Sequence, residues 1–326
     1  MNRLTIVKLI SRLRGEPFAV SSIPVADDWN RGGDDWNRGD GERWADRPEG
    51  QVPSRERVST LKRAVVYAER PGRKRRRLRM DIHVPETAGP HPLVLYIPGG
   101  GFAVAQFRMG RPQRGYVADA GFVVASMEYR TVGDGATYED GLADIRDAIA
   151  YLRHHEAAYQ VDVSRVVLWG ESSGGYLAAL AATRGVAGGC VMGVVDVVGA
   201  SDLSQVADGF DEATQRMWHE PDSLVSRYVG NPLPHEANPL EFVNAATPPF
   251  LLFHGDDDRI VSPRQSLILH RALTAAGVSS RRIVLEGAGH GELALPTSDT
   301  KVWTSTAVME VIVGFLTART GSAAGP

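Results

Sequence analysis

From Val166 to Gly185 the chain reads VVLWG-ESSGG-YLAALAATRG: an apolar strand, a serine flanked by glycines, then an alanine-rich helix. No loop of ordinary length separates the two elements, so strand and helix must turn sharply about Ser172. Gly170 and Gly174 lack Cβ atoms, which lets the elements approach while the serine adopts a strained backbone conformation. Such a serine stands at a helix N-terminus beyond the carboxyl end of a strand, the edge where open α/β sheets bind ligands. The bland alternative is a small-residue turn. The two readings separate on whether the chain also supplies partners for a nucleophile.

A serine hydroxyl attacks poorly until a base takes its proton. Histidine titrates near neutrality and suits that task. His290 lies in GAGHGE after the apolar run RRIVLEG, with glycines that let the imidazole reach across strand ends. His83, His154, His155, His219 and His235 fall on a strand, a helix end or a connecting segment. His254, after the strand PFLLF, reads as a structural hydrogen-bonder. The base in turn needs an acid to fix its tautomer; Asp256, Asp257 and Asp258 all follow His254, and a solvated turn is the alternative for three adjacent acids. The order Ser, Asp, His, each after a strand, is that of a known class of triads. Upstream, YIPGGGF (Tyr96 to Phe102) places three glycines after a strand, where their N–H groups meet no side chain and can stabilise an oxyanion with the N–H of Ser173. No Lys-Ser/Thr follows this glycine run and no G-x-G-x-x-G is present, which argues against a nucleotide loop.

The rest of the chain fits that edge. AVVYAE and LRMDIHVP alternate as paired strands, with Leu78, Met80, Ile82 and Val84 on one face, joined by the basic tip RPGRKRRR. PLVLYIP and GFVVASMEYR read as buried strands, and YEDGLADIRDAIAYLRHH as a helix burying Leu142, Ile145, Ile149 and Leu152. VMGVVDVVGA, PFLLFHG and RRIVLEG add strands, and TSTAVMEVIVGFLTART closes as a helix. Strands alternating with helices predict an α/β class with a mostly parallel central sheet and helices on both faces. The 326 residues hold 36 basic and 39 acidic side chains, which gives no electrostatic case for nucleic acid or an anionic membrane. Cys190 is the single cysteine, so no internal disulfide forms; it reads as a small buried hydrophobe in a cytoplasmic chain.

Residues 1–55 read as a flexible N-terminal extension and 56–326 as the folded domain. Within the extension, DDWNRGG, DDWNRGD and the degenerate GERWADR form a seven-residue near-repeat carrying Trp29, Trp36 and Trp44. One apolar residue per unit cannot bury a coiled-coil seam. The repeat reads as a linker duplication, with an adhesive peptide or a lid as the functional alternatives. At the start of the chain, Ile6, Leu9, Ile10 and Leu13 share a face of a short helix; Lys8 leaves the apolar run too short for an export segment, and no segment is long and apolar enough to span a bilayer.

With these residues in place, the chain from about Val58 onward resembles the α/β-hydrolase fold esterase/lipase family, in the group of acetyl esterases, hormone-sensitive-lipase-like and feruloyl-esterase-like proteins. The matching pieces are IPGGGF, MEYR, GESSGG, HGDDDRIV and GAGHG, in family order. The resemblance implies Ser172 as nucleophile, His290 as general base and Asp258 as acid, the pattern HGxxDxxV placing the acid three residues after Gly255. It implies Gly100, Gly101 and Ser173 as oxyanion donors. It also implies a small substrate-covering cap at 203–247, with Phe210, Met217, Trp218, Tyr228 and Phe242, together with Phe102 and Phe107, as candidate pocket residues; anchoring of the cap is the alternative for each. Where the family usually has a histidine before the glycines, this chain has Pro98, which puts the oxyanion loop's bracing in question. The implied chemistry is hydrolysis of a small-molecule carboxylic ester without metal or organic cofactor, in a chain free to form homo-oligomers. Peptidase, amidase, lactonase, acyltransferase and non-catalytic binding roles on the same fold are the competing readings.

Overall fold

A computed structural model describes residues 41–44, 59–71, 75–210, 212–291 and 302–321. The N-terminal helix, the first two repeat units, the centre of the basic hairpin tip and the side chain of Met217 lie outside the described residues.

Nine strands form one sheet: β1 (Glu42–Trp44), β2 (Ser59–Arg70), β3 (Arg76–Pro85), β4 (His91–Ile97), β5 (Val123–Met127), β6 (Val161–Glu171), β7 (Val191–Val197), β8 (Phe250–Gly255) and β9 (Ser280–Leu285). Their order is β1-β9-β8-β7-β6-β4-β5-β3-β2. From β1 to β5 every neighbouring pair is parallel; β3 joins β5 antiparallel, and β2 returns on β3 as a hairpin. The central strands carry continuous apolar runs because both of their faces are covered. On the hairpin, Leu78, Met80, Ile82 and Val84 are all buried as their alternation predicts, and Asp81 and His83 on the opposite face are covered as well.

Eight helices complete the architecture among the described residues: α1 (Arg111–Asp119), α2 (Tyr138–His154), the single turn α3 (Glu156–Tyr159), α4 (Ser173–Thr183), α5 (Glu212–His219), α6 (Leu224–Val229), α7 (Arg264–Ala275) and α8 (Thr306–Thr320). Helix α2 starts where the Asp140 carboxylate accepts the Thr137 N–H at 2.9 Å and buries Leu142, Ile145, Ile149 and Leu152 as its spacing predicts. Helix α4 is buried on every side, so its first turn cannot drift toward solvent. Two apolar clusters flank the sheet, one gathering α2, α4 and the hairpin, the other α1, α8 and Trp169. A mostly parallel sheet covered on both faces is what the alternating pattern predicts.

Between β7 and β8, Leu203–Phe242 runs through short helical turns together with α5 and α6. Val225, Tyr228, Val229 and Ala237 anchor this segment in the core, and the Tyr176 hydroxyl donates to the Ala237 carbonyl at 2.7 Å. Cys190 is half-buried rather than buried, its thiol donating to the Ala187 carbonyl.

One expectation fails at the N-terminus. The third repeat unit is not part of a flexible tether at residues 42–44, which add a parallel edge strand to β9 in the register Glu42↔Ile283, Arg43↔Val284, Trp44↔Leu285. A stretch this short could not hold by backbone pairing alone. Glu42 meets Arg281 through two contacts of 2.8 and 2.7 Å, and Trp44 packs against the α1/α8 cluster.

Asp196, on β7 beside Gly170 of β6, is fully buried. Burial pushes its carboxyl up to about 7, with only the Gly199 N–H opposing the shift. An unfolded aspartate titrates near 4, so the folded state holds the extra proton between those values. The neutral form's stabilising contribution is complete below about pH 4 and is lost as pH rises through 7. Asp196→Asn should therefore remove this loss: its melting temperature should exceed wild type by several degrees at pH 8, with the gap closing at pH 4, in paired thermal melts.

Candidate active site

Strand β6 delivers Ser172 to the carboxyl edge of the sheet. There the residue sits at φ 54°, ψ −120°, outside the regions an L-residue favours. Its N–H donates to the Val197 carbonyl at 2.9 Å, and its carbonyl accepts from Tyr176 in the first turn of α4. Gly174 passes directly under the Ile97 and Pro98 carbonyls, and Gly170 lies against the Gly174 carbonyl; a Cβ at either position would overlap backbone. The strained elbow is thus enforced by close packing that only glycine permits.

The loops after β8 and β9 bring the other two groups to the serine. His290 Nε2 lies 2.7 Å from Ser172 Oγ, and its Nδ1 lies 2.7 Å from Asp258 Oδ2. Asp258 is fully buried and its second oxygen accepts the N–H groups of Ile260 and Val261 at 2.9 and 3.0 Å. Burial would raise its pKa, but the facing His290 and the bonds from His254 and His290 outweigh it and hold the carboxyl well below the usual carboxylate range. An ionised Asp258 therefore faces Nδ1–H of His290, leaving Nε2 to accept the proton of Ser172. Asp256 and Asp257 point elsewhere: Asp256 accepts the Gly287 N–H at 2.7 Å, and Asp257 pairs with Arg259.

His254, read from the sequence as a structural hydrogen-bonder, bonds within the loop that carries the acid. Its Nε2 lies 3.1 Å from the Val261 carbonyl and 3.2 Å from Asp258 Oδ2. Since a carbonyl only accepts, Nε2 carries the proton and donates toward both. The signal was present as a histidine four residues before the acid.

The glycine loop is braced by a tyrosine rather than a histidine. The Tyr129 hydroxyl, fully buried, donates to the Pro98 carbonyl at 3.1 Å and accepts from Ser173 Oγ at 3.1 Å. Arg130 holds this strand end in place, its N–H and guanidinium bonding the buried Asp144 at 2.8 to 3.0 Å. The Gly100 carbonyl accepts from Ala103 and Val104, closing a tight turn. Gly101 at φ 60° has open space beside it. Among the described residues none accepts from the N–H groups of Gly100, Gly101 or Ser173.

The aromatic candidates divide. Tyr228 is fully buried, stacked on Phe102 with centroids 4.5 Å apart and its hydroxyl on the Arg130 carbonyl. Phe102 also meets Tyr176 edge-on, and Phe107 is buried with Arg108 over its ring. Phe102 and Tyr228 pack within the same core cluster. Phe210, Trp218 and Phe242 are half-buried at the cap–core boundary. No group of three or more His, Cys, Asp or Glu among the described residues is placed to hold a metal ion, and no described helix is long and apolar enough to cross a membrane.

Comparison with known sequences decides the lineage of this arrangement: the sequence pattern of the BD-FAE family matches residues 80–273. The chain belongs to the BD-FAE family. This BD-FAE chain is 28% identical over 207 residues to esterase LipQ of Mycobacterium tuberculosis, covering 58% of itself and 47% of that protein. It is 25% identical over 253 residues to an isoprenylcysteine α-carbonyl methylesterase of Arabidopsis thaliana, covering 72% and 57%. The chain thus spans about half the length of the curated relatives it matches. A truncated carbohydrate esterase from gut microbiota superimposes with a TM-score of 0.67 at 24% identity, covering 83% of this chain and 99% of that one. The fold is the α/β-hydrolase fold.

The Tyr129 brace has a measurable consequence. Tyr129→Phe leaves a buried carbonyl and a buried hydroxyl short of a partner, at a cost of about 1–3 kcal/mol. Chemical denaturation should show that loss. The kcat for p-nitrophenyl acetate should fall together with it, while Pro98→Ala, which keeps the carbonyl, should retain most of the activity.

Proposed function

We propose that the chain is a serine hydrolase that cleaves carboxylic esters through an acyl-enzyme. The observation that carries this reading is the continuous line Asp258–His290–Ser172, two contacts of 2.7 Å ending on a serine held in a strained elbow. The esterase names of the relatives support the ester bond as the target.

In the first half-reaction Ser172 Oγ attacks the carbonyl carbon as His290 Nε2 takes its proton. Ionised Asp258 stabilises the imidazolium that forms. The carbonyl oxygen gains the negative charge and receives N–H groups from Ser173, Gly100 and Gly101, fixed in advance so that little reorganisation opposes the step. Collapse of the tetrahedral intermediate breaks the carbon–oxygen ester bond, and His290 returns the proton to the departing alcohol. Water then repeats the sequence in reverse: it gives a proton to His290, adds to the acyl carbon, and Ser172 leaves with that proton. No step calls for a metal or organic cofactor. Phe210 and Trp218 are the aromatic residues we assign to the substrate side, because they are half-buried at the cap–core boundary; Phe102, Phe107 and Tyr228 support the loop and cap from behind. The cap at 203–247 and a domain from 56 onward are part of the same reading, and the lone Cys190 fits a reducing cytoplasm.

The test is labelling by a fluorophosphonate probe, with turnover of p-nitrophenyl esters from acetate to laurate. Wild type should label and Ser172→Ala should not, with kcat reduced at least about a thousandfold. Asp258→Asn, which keeps the shape but favours the wrong tautomer of His290, should lower kcat by about 10⁴-fold. Labelling without turnover of any ester would replace ester hydrolysis by amide, lactone or acyl-transfer chemistry at the same serine. A folded wild type that neither labels nor turns over would sink the catalytic reading.

A further inference from the structure

The third repeat unit does more than extend the sheet. Its third residue, Arg43, reaches past the end of β9 to two loops at once: Nε lies 2.9 Å from Glu286 Oε1, and Nη2 lies 2.9 Å from Asp256 Oδ2. Asp256 is two residues before Asp258, and Glu286 is four residues before His290. The same two loops are also tied directly, by the Gly287 N–H on Asp256 Oδ1 at 2.7 Å and the Asp257 N–H on the Ala288 carbonyl at 3.0 Å. The Glu286 N–H bonds back to the Trp44 carbonyl at 3.3 Å, which fixes where Arg43 starts from.

We propose that Arg43 is a positioning residue: from an N-terminal edge strand it clamps the loop carrying Asp258 to the loop carrying His290 and so sets the geometry of the Asp258–His290 pair. The reasoning is geometric. Asp258 and His290 sit on separate loops, each anchored to its own strand, and their 2.7 Å contact must be held across the gap between them. A guanidinium is planar, permanently charged and forked, so it can hold two carboxylates at a fixed separation where an ammonium grips one. Half-exposed pairs of this kind contribute little to global stability. Their effect is instead on local geometry, where small displacements of reacting groups change rates strongly.

Charge also fits this unit to the edge. Aligned on their tryptophans, the units DDWNRGG and DDWNRGD would place Asp28 or Asp35 where Arg43 stands. An aspartate there would face Asp256 and Glu286, three like charges in one place. The degenerate unit alone carries a cation at that position, so the departure from the repeat is what fits it to the site.

The inference rests on the triad reading proposed above, and the test separates the two. Full-length Arg43→Gln, Arg43→Lys and Glu42→Gln are compared with wild type. Glu42→Gln breaks the Arg281 pair that docks the same strand at its other end but leaves both loops clamped. Two readouts are taken: kcat and KM for p-nitrophenyl acetate, and the downfield proton NMR signal of His290 Nδ1–H, assigned by its absence in His290→Ala. Arg43→Gln should lower kcat about tenfold with KM within about twofold, and should broaden or erase the proton signal through exchange with water. Arg43→Lys should fall between, and Glu42→Gln should match wild type in both. Equal losses in Arg43→Gln and Glu42→Gln would reduce Arg43 to an anchor of the strand and overturn the proposal. So would a wild-type kcat and an unbroadened signal in Arg43→Gln. If Ser172→Ala keeps full activity, the triad reading fails on its own, and the proton signal alone then decides whether Arg43 holds the two loops together.

Discussion

The structure turns on a steric constraint at one point: helix α4 lies so close to strand β6 on one side and to the end of β4 on the other that neither Gly170 nor Gly174 has room for a Cβ. That contact forces Ser172 out of the favoured backbone regions, and the Val197 carbonyl and the fully buried helix α4 keep it there. A residue held in such a conformation persists only where its surroundings over-determine it. Here those surroundings are the centre of the sheet itself. Ser172 follows β6, flanked by β4 and β7 in parallel register, so the serine is anchored at the centre of the sheet.

The electrostatics of the site follow from how the loops beyond that centre are satisfied. Asp258 has no exposed surface, yet each of its oxygens is engaged: one by two backbone N–H groups, the other by two imidazoles. This set of donors and the facing imidazoles offset the penalty of burying a charge, which keeps the carboxyl ionised though fully buried. Asp196 shows the converse a short distance away. It is buried as deeply, receives one backbone donor, and is pushed toward its neutral form. Two buried aspartates near the same edge are thus shifted in opposite directions, Asp258 downward by the imidazoles that face it and Asp196 upward by burial.

Much of this was legible in the sequence, and the reasons are local. The elbow, the glycine loop and the strands leading to Asp258 and His290 are each written in a few adjacent residues: an apolar run, then a residue type that only makes sense at a strand end. Leu78, Met80, Ile82 and Val84 give away their face by alternation alone. What the sequence hid depends on distance along the chain. The Tyr129 brace joins MEYR to IPGGGF and GESSGG, three motifs each visible alone, but nothing in any of them says that the hydroxyl replaces a histidine's bracing where Pro98 stands. Tyr228 was a pocket candidate by its place in the cap segment, together with Phe210, Trp218 and Phe242; its stacking on Phe102 is a contact between residues far apart in sequence.

The N-terminal segment is the clearest case of that limit, and it changes how the fold is bounded. By composition, residues 27–47 cannot build a core, and the reading of a tether followed correctly from one tryptophan per unit. Yet a short strand needs no core of its own when a sheet edge supplies the backbone partners and Arg281 and the α1/α8 cluster supply the rest. A parallel edge strand at β9 also covers hydrogen-bonding groups that would otherwise invite pairing with another chain. Because β9 leads directly into the loop of His290, whatever caps that edge is mechanically continuous with the site. The boundary between extension and domain, drawn from composition at residue 55, is therefore crossed by the structure at Glu42–Trp44, through ion pairs whose partners are more than two hundred residues away.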